Sequence, residues 1–424
     1  MRSVDLSPVP ADEQTERPFD LFLIFVGANI VATTLQVGAS LPPTFTLRVA
    51  LSVILVGALG GAALVAALAP IGTRLRTPSI IAARAALGFS GAHTLAALLF
   101  TTNFAWIALN NVIAASITVK LANIGTQGVW AALLGLLAAL IVLGGPRAAA
   151  LVDRFAVPLL LLSGVVFTVA CWRAPRLEWP LGPVPTSDVV RGLDVVAGYQ
   201  VSWLLMFADY PRYVRSRRGA SLAVFLGLAL TALWFIPLGL VASALARSAD
   251  PGTMVSALGL TWWGALLLTL ATLTTNFVNI YMSALALKSL RPTVADASAV
   301  WLIGGVGAAL SLLSERWIEQ FANMTLLLAG MLVPVGGILL AHYVFLRRDV
   351  RVSDLYDPHG PYAARRGWPL AGAFAWVAGA LVFYAARSIG GTLSSLVVSI
   401  VTYSLLERWT RPAAQSPALA GNRL

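Results

Sequence analysis

The chain has 424 residues, 58% of them hydrophobic and only 11% charged, with a mean hydropathy of +0.82. A soluble protein of this length carries about 25% charged residues, so a soluble globular domain is excluded and a polytopic helical membrane protein is expected. One cysteine, Cys171, leaves no internal disulfide, three histidines without a Cys/His cluster speak against zinc, and the net charge of +11 falls in short segments between apolar runs, a topology signal rather than a nucleic-acid surface.

Residues 1–19 are polar, mixed in charge and unlike a signal peptide, and they read as a cytosolic tail. Apolar runs of the length that crosses a bilayer then predict twelve spans, at 20–41, 47–72, 86–119, 126–144, 154–172, 190–210, 220–246, 256–287, 297–313, 317–346, 369–387 and 389–407. A loop at 347–368 precedes the last two spans, 369–407, and 408–424 form a second cytosolic tail. With the N-terminus inside, 21 of the 29 Lys and Arg residues lie on inside segments and 8 outside. The positive-inside rule therefore puts both termini and the 347–368 loop in the cytoplasm, with the chain in the cell (plasma or inner) membrane. In "FADYPRYVRSRR", residues 207–218, four arginines hold the end of the sixth span on that side. Asp209 reads either as a gate or ion-pair partner of Arg84 or Arg212, or as a cap at a helix end.

No Asp, Glu, Lys or Arg lies in the span cores; Asp153, Asp194, Asp209 and Asp296 fall at predicted ends. Intramembrane ionisable groups mark proton relays and charged-substrate sites. Their absence argues for a neutral substrate, and it argues against both a carboxylate proton relay and a membrane-embedded hydrolase. His93 has a structural or interfacial place near a span end. Spans one to five (20–172) and six to ten (190–346) are blocks of similar length with an odd number of spans each, so equivalent halves insert inverted, an arrangement that often holds a ligand between broken helices. The first helix of each block carries the right irregularities: "FVGANIVATTLQVGAS", with Gly27, Asn29, Thr33, Thr34 and Gly38, and "VVAGYQVSWLLMFADY", with Gly198, Tyr199, Gln200 and Ser202. Such residues either permit unwound backbone or serve as helix-packing glue.

These two segments, with "NFAWIALNN" in the third span and "ATLTTNFVNIYMSALAL" in the eighth, resemble in order the signatures of the nucleobase–cation symporters, the purine–cytosine permease family. The resemblance covers about residues 20–350. It implies an all-α, LeuT-like fold, a five-plus-five inverted repeat with two extra C-terminal helices. It implies import of a small neutral planar heterocycle, such as cytosine or a purine, by cation symport. A pyrimidine vitamin precursor or a hydantoin- or allantoin-type compound, carried with H⁺ or by an uncoupled facilitator, is the alternative. By the same resemblance Trp106 stacks on the substrate, Asn110 is the polar residue one turn later, and Asn276 and Asn279 are the eighth-helix amides. The family's second stacking aromatic falls on Gln200, after Gly198 and Tyr199. This departure leaves Tyr199 or Trp203 as the second face, or a ligand sandwiched on one side. The implied Na⁺ oxygens are the carbonyls of Gly27, Ile30 and Ala271 and the hydroxyls of Thr274 and Thr275.

The residue types suit such a ligand: an indole offers a π-face and a carboxamide both a donor and an acceptor. Trp106 and Asn110, four apart, share a helix face, as do Asn276 and Asn279, three apart. Each also has a structural reading: a core tryptophan, interhelical amide bonds, threonines bonded back to their own helix. With no carboxylate in the spans, Na⁺ is favoured over H⁺. No cofactor beyond that ion is implied, and the expected partners are the substrate and the lipid bilayer, with no obligatory protein partner.

Overall fold

In the computed structural model, which describes residues 6–143, 146–363 and 367–410, the apolar runs are helices, and no strand forms among the described residues. In chain order they are α1 (Pro18–Asn29), α2 (Ala32–Ala39), α3 (Leu47–Leu75), α4 (Ser79–Ala122), α5 (Gln127–Leu143), α6 (Pro146–Arg173), α7 (Thr186–Val201) and α8 (Arg217–Ala246). They continue with α9 (Pro251–Ala257), α10 (Thr261–Leu290), α11 (Asp296–Ser311), α12 (Ser314–Glu319), α13 (Phe321–Leu340), α14 (Val352–Tyr356), α15 (Leu370–Ala385) and α16 (Gly391–Thr410).

The last helix displays the logic of the molecule. Leu393, Val397, Val401 and Leu405, four apart, are exposed, while Ser395, Ser399, Tyr403 and Glu407, also four apart, are buried. Apolar groups outside and polar groups inside reverse the pattern of a water-soluble helix and suit a surface solvated by lipid. Among the described residues, five helices can cross a bilayer by length and composition: α3, α4, α8, α10 and α13 with its extension to Phe345. The pair α1 and α2, bent by 58°, makes a sixth, and α5, α11, α15 and the Pro158–Arg173 part of α6 are shorter apolar helices.

Several boundaries differ from the sequence expectation, each for a physical reason. The third span begins at Ser79 rather than 86, because α4 runs through Arg84, which donates to the Leu355 carbonyl at 2.8 Å and lies over the Phe89 ring. Its interruption comes at Gly88, where φ is 66° and ψ 179°, a conformation open to glycine. The eighth span is divided into α9 and α10 near Gly259 (φ 70°), and the tenth into α12, α13 and a π-turn at Ala341–Phe345. Asp194 lies within α7, buried, and its two carboxylate oxygens accept the N–H groups of Gly391 and Thr392 at the start of α16.

Helix contacts are close where side chains vanish. A Cβ at Gly38 would fall on the Ile236 carbonyl, and one at Gly239 on the Leu35 carbonyl, so α2 and α8 meet backbone to backbone. The N-terminal tail is docked as a strap over residues 6–17. Gln14 Nε2 reaches the carbonyls of Thr73, Arg212 and Val214, Val9 N–H bonds the Arg76 carbonyl, and Tyr356 Oη donates to Leu6 O. Residues 1–5 and 411–424 of the two predicted tails lie outside the described residues.

Candidate functional site

At the break between α1 and α2 the helical ladder stops with Ile30 N–H on the Val26 carbonyl and resumes with Thr34 N–H on Val31. Val31 is extended, at φ −137° and ψ 161°. Between those bonds, the Asn29 carbonyl accepts from Thr34 Oγ1 at 2.7 Å, and the carbonyls of Gly27, Ala28 and Ile30 stand outside the ladder. The corresponding helix of the second block behaves differently. It passes from α7 into a 3-10 turn at Ser202–Met206, and Phe207 and Asp209 keep backbone bonds to Leu204 and Met206.

A cavity of about 50 Å³ lies between these two irregularities. Ala28, Val31 and Thr33 face it from the first break, Tyr199, Ser202, Trp203, Leu205 and Met206 from the second. α4 adds Leu99, Asn103, Trp106 and Asn110, and α10 adds Thr275, Asn279 and Met282. Tyr199 ties the two breaks together: its hydroxyl lies 2.7 Å from Thr34 Oγ1 and 3.2 Å from Thr33 Oγ1. Its ring meets Trp106 edge-on, with centroids 6.1 Å apart, and Phe321 meets Trp106 likewise at 6.4 Å. A separate, wider cavity of about 870 Å³, lined by Ala105, carries Arg191, Asn323 and Arg387. The buried ionisable groups Arg84, Asp194, Asp209, Arg212, His342 and Glu407 all lie away from the central cavity.

Of the residues expected at a ligand site, Trp106, Asn110, Tyr199 and Asn279 line this cavity together; Gly198, Gln200 and Asn276 do not. Gly198 sits in regular helix and serves close packing, since a Cβ there would approach the Ala329 side chain to 2.8 Å. Gln200 is fully buried against α3 and α8: a Cβ on Gly61 would lie 2.6 Å from its own, and its Nε2 donates to the Leu228 carbonyl at 3.1 Å. Asn29 donates to that same carbonyl at 3.3 Å, so α1 and α7 are pinned to one point on α8. Asn276 donates to Asn111 Oδ1 at 2.7 Å, and Asn111 Nδ2 to Ser311 Oγ at 3.0 Å, a clamp joining α10, α4 and α11.

Thr275 lines the cavity beside the first break, while Thr274 is buried on the same turn. Both hydroxyls donate to their own helix: Thr275 to the Ala271 carbonyl at 2.6 Å, Thr274 to Leu270 and Ala271 at 3.1 and 3.2 Å. Their oxygen lone pairs stay free to accept or to coordinate. Asp209 acts as a cap delivered across the fold. Its Oδ2 accepts the Ser79 N–H that opens α4, and Ser79 Oγ accepts the Ala208 N–H in return. Arg84 turns to Leu355 instead.

Sequence reasoning missed Asn103 as a lining residue. Its Nδ2 donates to the Asn279 carbonyl at 3.2 Å, tying α4 to α10 beside the cavity. The signal was there: residues 103, 106 and 110 follow the 3–4 spacing of one helix face.

A family model described as permease for cytosine/purines, uracil, thiamine and allantoin matches residues 8–406. YxlA of Bacillus subtilis (strain 168), provisionally described as a purine-cytosine permease, is 26% identical over 380 residues, 84% of this chain and 82% of that protein. The purine-cytosine permease FCY21 of Saccharomyces cerevisiae is 25% identical over 344 residues, 72% of this chain and 64% of that protein. Among solved structures, Mhp1, a nucleobase-cation-symport-1 family transporter in a closed conformation with bromovinylhydantoin bound, superposes with a TM-score of 0.77 at 17% identity, over 96% of both chains. Its inward-facing conformation also gives 0.77, at 19% identity, over 95% of this chain and 94% of that one.

Proposed function

The chain belongs to the family of permeases for cytosine/purines, uracil, thiamine and allantoin, and from that premise we propose that it imports a small, neutral, planar heterocycle by symport with Na⁺. Transport of nucleobase-like compounds, rather than enzymatic turnover, is the business of the family. The observation that carries the finer reading is the composition of the central cavity. An indole face, three asparagines and no charged side chain meet at a break where helix carbonyls are freed.

Trp106 offers the ring its face. Asn103, Asn110 and Asn279 offer carboxamides for its edge. The oxygens at the break and on Thr275 suit a hard cation, and an oxygen set without a carboxylate favours Na⁺ over H⁺. Thr275 lines the same cavity as Ala28 and Val31, so an ion held there would stiffen the break against α10 and bias the cavity toward binding the heterocycle. The wide cavity lined by Ala105 suits the entry side, and the end crossed by the N-terminal strap suits the cytoplasmic side. Alternating access then opens the cavity to each in turn. In this reading the chain has twelve spans in two inverted blocks with two helices added. Ser353→Cys and Ser187→Cys in a Cys171→Ala background are expected to label from opposite sides of the membrane, and labelling from one side would refute the arrangement.

The test of function is uptake of labelled nucleobases and hydantoins into proteoliposomes, with and without an inward Na⁺ gradient, alongside counterflow. Accumulation above equilibrium that requires the gradient is expected. Equilibration alone, indifferent to Na⁺ and to protons, would make the protein a facilitator.

A further inference from the structure

We propose that the wide cavity lined by α7, α13 and α15 holds an anionic phospholipid, its phosphate between Arg191 and Arg387 and its chains on the lipid-facing side of α15. The site is separate from the central cavity and goes beyond the transport reading above. The starting observation is a charge balance. The lining carries two guanidiniums and one carboxylate. That carboxylate, Asp194, is already matched by the N–H groups of Gly391 and Thr392, at 2.9 Å each. Arg191 gives one N–H to Asn323 Oδ1 at 3.2 Å. Arg387 lies over the Tyr384 ring, 4.8 Å from its centroid, and makes no hydrogen bond to a described residue. Neither arginine has an ion-pair partner among the described residues. The neighbouring acids along the chain, Asp188 and Glu319, are not in the lining, and Asp188 accepts the Thr44 hydroxyl.

Each guanidinium presents five N–H donors in a planar fork that matches phosphate geometry. Two such forks, from α7 and from α15, therefore share one cavity with most of their donors unspent. The fit is to an anion with several oxygens. The surroundings say that the anion belongs to a lipid. Phe374, Val377 and Leu381 are exposed on α15, and their spacing of three and four makes them one apolar face turned to the bilayer. Tyr384 and Ser388 continue the same spacing and line the cavity, with Arg387 beside them. Leu327 of α13 both lines the cavity and is exposed, and the Tyr384 hydroxyl reaches its carbonyl at 3.4 Å. The lipid-facing stripe thus runs into the arginine pair, as acyl chains run into a headgroup.

Aromatic and size arguments point the same way. Trp317 and Tyr384, aromatic bodies with a polar tip, line the cavity and are the residue types found at the level of lipid headgroups. About 870 Å³ lies in the upper part of the roughly 300–1,000 Å³ typical of drug-sized ligands, more than a single planar heterocycle needs.

The experiment titrates the purified full chain in detergent with dioleoylphosphatidylglycerol or dioleoylphosphatidylcholine and follows the thermal unfolding midpoint, which rises with occupancy. The anionic lipid is expected to act at about tenfold lower concentration than the zwitterionic one. Arg387→Gln should raise the concentration it needs about tenfold, the worth of one charge-assisted contact, and Arg191→Gln with Arg387→Gln should abolish the difference between the lipids. Arg316→Gln, at an exposed arginine outside the lining, should keep that difference. Inorganic phosphate and glycerol 3-phosphate are expected to have no effect at the same concentrations. Equal responses to the two lipids in the wild type overturn the proposal. So does a preference that survives in the double variant, or one lost equally in Arg316→Gln. Glycerol 3-phosphate as effective as the lipid overturns the lipid as occupant. If the double variant does not fold, Arg387→Gln alone decides the site, because Arg387 has no hydrogen bond to a described residue to lose. Uptake is not read at any step, so this proposal and the transport reading fail separately.

Discussion

The two blocks interrupt their first helices in different ways. In the first, the chain bends by 58° across Ile30 and Val31 and leaves carbonyls without ladder partners. In the second, α7 tightens into a 3-10 turn that keeps its backbone paired and turns Ser202, Trp203, Leu205 and Met206 toward the cavity. One break presents backbone oxygen, the other presents side chains. Freed carbonyls cost free energy in a membrane unless something satisfies them, which is why the first break suits a cation. A paired backbone with aromatic and polar side chains suits an organic ligand. In the proposed reading, division of labour between the breaks would let a cavity without a single charged lining residue serve both. Tyr199, from the second break, bonds Thr33 and Thr34 of the first and so couples the two.

The largest expected effect tests whether the space between the breaks holds the ligand at all. Trp106→Ala removes the indole that Tyr199 and Phe321 hold edge-on. It should weaken substrate binding by about 1–3 kcal/mol, by analogy with base–aromatic stacking, and Trp106→Phe should cost less because part of the π-face remains. The measurement is substrate affinity of monodisperse, purified variants. Wild-type affinity in well-folded Trp106→Ala would take the ligand out of this cavity.

A second, smaller effect belongs to the first break alone. Thr275→Ala deletes the hydroxyl that shares the cavity with Ala28 and Val31. Linkage between ion and substrate, typically about 1–3 kcal/mol, is reciprocal. The variant should therefore lose part of the Na⁺-dependent gain in substrate affinity and, equally, part of the substrate-dependent gain in Na⁺ affinity. Affinity in Na⁺-free buffer should barely change. If substrate affinity falls equally with and without Na⁺, Thr275 serves the ligand and the division between the breaks is wrong.

The helices were legible in the sequence because a bilayer demands long apolar runs, and those runs are local. The first break was legible too, since Gly27, Asn29, Thr33 and Thr34 crowd polarity and flexibility into about two turns. What escaped depends on distant partners. Arg84 was placed before the third span as a possible partner of Asp209, but the Leu355 carbonyl that receives it is 271 residues away. Gln200 stood where the family resemblance puts an aromatic, and only the closeness of Gly61 and the Leu228 carbonyl reveals it as a packing pin. Asn276 and Asn279 looked equivalent, yet three residues on an α-helix differ by about 60° in direction. That turn suffices to send one to Asn111 and the other to the cavity. Asn103, one face with Trp106 and Asn110, was readable from spacing alone.

The smallest effect concerns the coupling between the breaks. Tyr199→Phe keeps the ring against Trp106 and deletes the hydroxyl that reaches Thr33 and Thr34. Thr34 still donates to the Asn29 carbonyl, so the first break keeps its own closure. The loss is then one or two buried hydrogen bonds, about 0.5–1.5 kcal/mol each. Thermal unfolding should register this as a modest drop in stability, and substrate affinity in Na⁺-free buffer should stay close to wild type because the aromatic edge is intact. The informative quantity is the Na⁺ response. If the hydroxyl carries information from the ion's break to the ligand's, Tyr199→Phe reduces the Na⁺-dependent gain in affinity although it touches neither the freed carbonyls nor Thr275. A full Na⁺ response in a folded variant would assign Tyr199 to packing. Communication between the two breaks would then run through α8, where Asn29 and Gln200 share the Leu228 carbonyl.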